Sequence, residues 1–230
     1  VCINLTKLIG WQADGGYAEK VVVPERNLLI LPEDIPELLA PLLLDTIGTA
    51  AHGIRLARKV LSSFKSALVF GCGSIGLGSI ILLRWLGIEE VFFVEPNRQK
   101  ASVAEKVGGL PISEEQLSNL PIPLIVEASG SLEARNQALR IVQPGGAVLL
   151  LGENDQPWIL EERPLLRRKD VFIVRSFYFP RSEYSENIGV LRENLASYEL
   201  IVDKLVSPEQ FPGVFSEFVS GSYIKPVLLW

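Results

Sequence analysis

The sequence predicts an α/β fold, a doubly wound parallel sheet, and three observations carry that prediction. From Ser66 onward, short apolar runs alternate with helix-length stretches, the rhythm of βαβ units. The first of those runs ends in a glycine cluster, Gly71-Cys72-Gly73-Ser74-Ile75-Gly76, where the chain must turn sharply from strand into helix. The second run ends in a carboxylate, Glu95, about 20 residues beyond the cluster.

The elements follow in order. Residues 66–70 form a short apolar run closed by Gly71 and read as the first strand. Residues 75–86 are mostly apolar and read as a helix packed on the sheet. Residues 91–94 are continuously apolar, as a strand covered on both faces must be. Residues 97–107 read as the next helix, with Asn97 as its N-cap. A strand at 124–126 and a helix over 132–142 come next. Pro144-Gly145-Gly146 then turns the chain into a strand at 147–151. A strand at 171–176 and a helix over 184–196 complete the rhythm. The ends depart from it. Gly15-Gly16 and the run 17–23 read as a turn and strand of a β-rich unit. Beyond residue 200 come a strand, a helix over 208–219 and a last strand at 225–229. The expected division is an α/β domain over 42–196 and a smaller second body from 1–41 and 197–230. There are no internal repeats and no low-complexity tract.

Composition narrows the function. The chain has 230 residues, 48% hydrophobic and 21% charged, enough for an ordinary domain and a smaller one. A net charge of −5 argues against nucleic acid, because nothing here would neutralise a phosphate backbone. The run Arg167-Arg168-Lys169 is short, lies between apolar stretches and reads as a solvated turn. Two cysteines, Cys2 and Cys72, are too few for a disulfide framework and fit a reducing cytoplasm. No signal peptide pattern opens the chain, and no apolar run reaches the length of a membrane span. The expectation is a soluble cytoplasmic protein with no membrane or nucleic-acid partner. The chain contains no methionine and opens on Val1-Cys2-Ile3, so sequence upstream of Val1 is expected.

The glycine cluster is a G-x-G-x-x-G. Its context, between a strand and a helix and ahead of an acid, gives it the meaning of a dinucleotide site. Gly71 permits the tight turn, Gly73 lets backbone amides approach a pyrophosphate, and Gly76 lets the helix pack closely on the strand. The helix beginning at Ser74 and Ile75 then offers unpaired N–H groups and the positive end of its dipole to phosphates. Glu95 can accept hydrogen bonds from both hydroxyls of an adenosine ribose and would repel a 2′-phosphate, which favours NAD over NADP. Arg98 and Lys100 lie nearby and offset part of that repulsion. The plainer reading of Glu95 is a cap on a surface turn. Cys72 is either a reactive thiol at a helix start or a small residue filling tight space, and a pyrophosphate lying over it favours the second.

With loop and acid in place, the chain resembles the zinc-type medium-chain dehydrogenase/reductases, among them alcohol, sorbitol and threonine dehydrogenases. Asp14-Gly15-Gly16-Tyr17-Ala18-Glu19 is similar to that family's D-G-G-[FY]-A-E turn and strand. Gly48-Thr49-Ala50-Ala51-His52 is similar to its G-T-A-x-H helix. Glu127-Ala128-Ser129-Gly130, Pro144-Gly145-Gly146 and Lys225-Pro226-Val227-Leu228 match further landmarks in order. The series spans nearly the whole chain and is far more specific than the glycine motif alone.

The resemblance implies a Rossmann cofactor domain joined to remnants of a β-rich (GroES-like) catalytic domain from both chain ends. It implies hydride transfer between NAD, with NADP as the alternative, and an alcohol, polyol or carbonyl substrate. Thr49 would touch the nicotinamide and Ile75 would back it. Main-chain groups around Gly152 and at Phe177 would hold the carboxamide, and Ser129 joins the cofactor set. A catalytic zinc would polarise the substrate oxygen. The family's first zinc ligands, a cysteine and a His-Glu pair, fall upstream of Val1, and Cys2 resembles only the last of its structural-zinc cysteines. A tetrahedral zinc site is therefore expected to be incomplete, and this chain alone to be inactive. Asp45 stands where the family places a final ligand. Asp45, Thr49 and His52 fall at i, i+4 and i+7, one helical face, and form the candidate catalytic set. Against this stand an N-cap role for Asp45 and a purely structural role for His52, the one histidine in the chain. Arg175 replaces a glycine expected before Ser176-Phe177; it either meets a phosphate or acidic substrate or is a surface change. A homo-oligomer, dimer or tetramer, is expected, with the apolar edge around Phe172 and Phe179 as its candidate surface. Two other functions stay open. One is a non-catalytic module binding the nicotinamide cofactor; the other is a methyltransferase using S-adenosylmethionine, against which the landmarks outside the loop count.

Overall fold

The computed structural model describes residues 8–117, 120–160 and 166–230. One helical run leads into the sheet. Ala40–Leu42 (α1) passes through a π-helical turn, Leu43–Ile47, into Gly48–Ala57 (α2). Ser66–Phe70 (β1) follows, then Ser74–Trp85 (α3), Glu90–Val94 (β2), Arg98–Lys106 (α4), Leu110–Pro111 (β3) and Glu114–Leu117 (α5). Ile122–Glu127 (β4), Leu132–Ile141 (α6), Val142–Leu150 (β5) and Phe172–Arg175 (β6) complete the α/β part. Tyr184–Glu193 (α7), Leu195–Glu199 (α8), Lys204–Val206 (β7), Phe211–Val219 (α9) and Pro226–Leu228 (β8) close the chain.

Among the described residues β1 to β6 form one parallel sheet in the order β3-β2-β1-β4-β5-β6. Chain order reverses between β1 and β4, which places a crevice outside their carboxyl ends. Period-two alternation splits the strands between two cores. Ala67 and Val69 face one side with Ile54, Leu77, Ile80, Leu83 and Leu191. Leu68 and Phe70 face the other with Ile122, Ile125, Leu139 and Val148. Both faces are covered, which is why these strands read as unbroken apolar runs.

The structure departs from the sequence reading at several points. β3 is only two residues long, too short for periodicity, and its Pro111 suits an edge strand. Pro144-Gly145-Gly146 lies inside β5, not before it. Pairing with β4 shifts between Ile122 and Leu124, and Gly145 takes a positive φ of 76°. The helix expected over 184–196 breaks at Asn194, separating α7 from α8. The run 17–23 begins in a bend at residues 17–19 and joins no ladder among the described residues: Tyr17 and Val22 are 74% and 98% exposed, and a strand without a partner is not held as one. Phe179, expected on an exposed apolar surface, is half-buried with its ring against Gly48, whereas Phe172 is exposed as expected.

The two ends are nevertheless anchored. Arg181 donates to the carbonyls of Arg26 and Leu28, Tyr184 donates to the Ile30 carbonyl at 3.1 Å, and Arg192 pairs with Asp34 at 2.5 and 2.7 Å. These contacts lay residues 26–34 along α7 as a strap. The Tyr17 ring meets Phe211 of α9 with centroids 5.0 Å apart. Among the described residues no helix is long and apolar enough to cross a membrane.

Candidate functional site

The glycine cluster caps β1 at the edge of the crevice, and each glycine answers a different demand. Gly71 has φ of 86°, and a Cβ there would lie 2.8 Å from the Ser129 backbone. A Cβ at Gly76 would lie 1.8 Å from the Gly71 carbonyl oxygen, so the first turn of α3 seats directly on the loop. Gly73 differs from both: nothing stands within 4 Å of where its Cβ would be. It is the N-cap of α3 and no side chain caps that helix. The first-turn amides of Ser74, Ile75 and Gly76 therefore lack an intrahelical partner, and they stand at the positive end of the helix dipole.

Glu95, just past β2, caps its turn, the plainer of its two sequence readings, and also reaches the glycine loop. Its Oε1 accepts from the Asn97 amide at 2.8 Å, capping the turn, and its Oε2 accepts from the Cys72 amide inside the glycine loop at 2.6 Å. Asn97 caps α4, its Oδ1 accepting from the amides of Gln99 and Lys100, and donates from Nδ2 to the Gly221 carbonyl. Arg98 opens α4 as an exposed side chain. Cys72 is fully buried, and burial first, then the Glu95 charge, pushes its thiol well above the ordinary range despite Lys100 nearby. It fills space and is no nucleophile.

Across the crevice, the tips of β4 and β5 hold Ser129 and Gly152. Ser129 donates from N and Oγ to Glu127 at 2.7 and 2.6 Å. The Gly152 amide donates to the Glu127 carbonyl, and its own carbonyl accepts from Arg135 at 2.8 Å. Glu127 entered the sequence reading only as part of a family landmark, and Arg135 did not enter it. The available signal was a carboxylate ending an otherwise apolar strand, with an arginine eight residues on, in the helix that follows. Arg175 donates to the Leu150 and Gly152 carbonyls and pairs with Glu153 at 2.5 Å, so its charge is committed to the same loop. Phe177 packs on Tyr178 with centroids 4.5 Å apart. Tyr178 has φ of 51°, rare for a side-chain-bearing residue, and its hydroxyl is shifted upward by burial, then by the charges of Asp45 and Glu153. Sequence gave no sign of this residue.

Asp45 sits in the π turn, inside a continuous helical run, and is not an N-cap. Thr49 reaches it at 3.4 Å, and the Lys225 ammonium lies 3.4 Å from its other oxygen. The i, i+4 pair therefore meets. His52 turns elsewhere: its Nδ1 lies 3.0 Å from Glu183, which also holds Arg55 at 2.6 Å. Among the described residues no three His, Cys, Asp or Glu side chains gather as metal ligands, and Cys2 lies outside them. With a lysine as its nearest charge, Asp45 does not fit a zinc site built from the described residues. A hollow of about 1500 Å³ lined by residues such as Ile9, Ala13, Tyr17 and Arg26 takes no lining from the glycine loop and lies apart from these donors.

No family model matches the chain. The L-threonine 3-dehydrogenase of Caldanaerobacter subterraneus subsp. tengcongensis is 31% identical over 171 residues, 68% of this chain and 48% of that protein. That of Pyrococcus furiosus is 33% identical over 163 residues, 66% of this chain and 45% of its own length. That of Coxiella burnetii is 25% identical across 96% of this chain and 67% of that protein. The chain spans about half the length of the first two. Among solved structures, alcohol dehydrogenase TADH from Thermus sp. ATN1 superposes with a TM-score of 0.85 at 22% identity, over 95% of this chain and 66% of that one. A putative zinc-binding dehydrogenase from Sinorhizobium meliloti 1021, bound to NADP, gives 0.83 at 21% identity, over 96% and 68%. At these identities the structures show the fold.

Proposed function

We propose, from the premise that the chain belongs to the zinc-type medium-chain dehydrogenase/reductases, that it binds a nicotinamide dinucleotide across the β1–β4 crevice. It would thereby serve hydride transfer between NAD and an alcohol, polyol or carbonyl substrate. The observation that carries this is the contrast within the glycine loop. Two of its glycines are walled in by backbone while Gly73 opens outward beneath uncapped helix amides. In this reading the pyrophosphate lies on Gly73, Ser74 and Ile75, and the adenosine ribose on Glu95 with Arg98 and Lys100 beside it. Ser129, Gly152 and Phe177 border the nicotinamide, with Thr49 and Ile75 against the ring. The cofactor supplies the hydride chemistry; the chain's own residues bind and orient it. A zinc ion would need ligands besides Asp45, and the described residues do not gather them. The proposed division is 42–196 for the cofactor domain, with 1–41 and 197–230 forming part of the second body. A cytoplasmic homo-oligomer meeting through the exposed apolar edge at Phe172 and Ile173 completes the proposal.

A second reading, a binding module without turnover, draws on the same incomplete ligand set. Fluorescence titration of the chain with NADH and NADPH tests the first step. Saturable NADH binding stronger than NADPH binding is the expected result, and binding of neither would sink the cofactor reading. Hydride transfer from a panel of secondary alcohols then separates enzyme from module.

A further inference from the structure

Glu127 closes β4 as a fully buried carboxylate, and Arg135, on the second turn of α6, is nearly as buried. Together they make more contacts than a simple ion pair needs. One carboxylate oxygen accepts from the Ser129 amide at 2.7 Å, the Ser129 hydroxyl at 2.6 Å and the Gly130 amide at 2.8 Å. The other accepts from Arg135 Nε at 3.2 Å, and Arg135 Nη2 crosses to the Gly152 carbonyl at 2.8 Å. The Glu127 carbonyl accepts from the Leu151 and Gly152 amides at 2.8 and 2.9 Å. The guanidinium lies 5.9 Å from the centre of the Trp158 ring.

These contacts join two loops with no room between them. A Cβ at Gly130 would lie 2.1 Å from the Glu153 carbonyl, and one at Gly152 would lie 2.2 Å from the Gly130 amide. Ser129 also borders Gly71, 2.8 Å from where a Cβ there would lie. A buried charge pair of this kind contributes little net stability compared with an apolar pair of equal volume. It does fix geometry, because both carboxylate oxygens and two of the guanidinium nitrogens are held by directed hydrogen bonds.

We propose that Glu127 and Arg135 are positioning residues for the nicotinamide half of the bound dinucleotide, locking the β4 and β5 loop tips into one main-chain surface. This rests on the cofactor reading given above. The pair touches neither the Ser74 amides nor Glu95, so the adenosine half should not depend on it.

The test uses the full chain and Arg135→Lys, which keeps the charge and loses the fork. NADH binding is followed by nicotinamide fluorescence and AMP binding by calorimetry, with circular dichroism and thermal unfolding as checks on folding. Expected is an NADH affinity weaker by about tenfold, with bound NADH fluorescence moved toward that of free cofactor, and an unchanged AMP affinity. Parallel loss of both ligands would reduce the pair to a structural role, and no loss of either would overturn the proposal equally. If the unaltered chain binds neither ligand, the cofactor reading itself fails, a result distinct from both. Should Arg135→Lys not fold, the isosteric Glu127→Gln carries the same comparison.

Discussion

Side chains at three glycines of one loop would meet three different surroundings, and this separates folding from binding. Gly76→Ala sets a Cβ 1.8 Å from a backbone oxygen, and should lower stability by several kcal/mol or prevent folding. Gly73→Ala meets no atom, so the thermal midpoint should stay within what about 0.5 kcal/mol allows, while NADH affinity falls. Paired thermal unfolding and NADH titration check this; equal effects on both variants would contradict it. Two buried residues, Cys72 and Tyr198, bear on alkaline stability. Burial raises Cys72 and Tyr198 above their ordinary values of 9.0 and 10.0. Above those values the unfolded chain loses protons that the folded chain keeps, so stability should be intact below about pH 9 and decline as pH rises. The Tyr198 hydroxyl has no hydrogen-bond partner among the described residues, so Tyr198→Phe should be neutral or stabilising by up to ~1 kcal/mol. It should also flatten the alkaline decline, as denaturant unfolding from pH 8 to 11 would show.

Among the elements, length and periodicity decided what could be read. β1, β2, β4 and β6 are apolar runs bounded by turn residues, and sequence placed each within a residue or two. β3 has too few residues to carry a pattern. The π turn before α2 adds a residue to its helical run without any mark in composition, so a strict i, i+4, i+7 face drawn through Asp45, Thr49 and His52 could be only partly right. Asp45 and Thr49 meet, while His52 joins Arg55 on Glu183, tying α2 to the turn that begins α7. Glu183→Gln should therefore cost about 1–2 kcal/mol in denaturant unfolding. Cofactor affinity should stay constant, and a selective loss of NADH binding would instead return His52 to the site.

Taken whole, the molecule divides into a part legible from local pattern and a part that was not. The α/β order, the glycine loop and Glu95 follow from residue type and spacing. The Glu127–Arg135 bridge, the strained Tyr178 and the strap at residues 26–34 depend on contacts between distant segments, which no local window contains. The strap's ion pair has one definite sign. Arg192 holds the Asp34 carboxyl below its ordinary range, so the link is fully present above that range and is lost only as pH falls below it, through the depressed value. Arg192→Ala should speed proteolytic cleavage within residues 17–34 at neutral pH and leave NADH binding unchanged.

The hydrogen bond from the Cys72 amide to Glu95 bears on how cofactor preference could evolve or be redesigned. Exchanging Glu95 for a neutral residue to admit a 2′-phosphate would also release the loop that seats the pyrophosphate. Under the proposed cofactor reading, selectivity and grip share one carboxylate, so a switch to NADP would need a compensating change that fixes the loop again. Under that reading, single substitutions at Glu95 would give cofactor domains that are less selective without becoming good NADP binders.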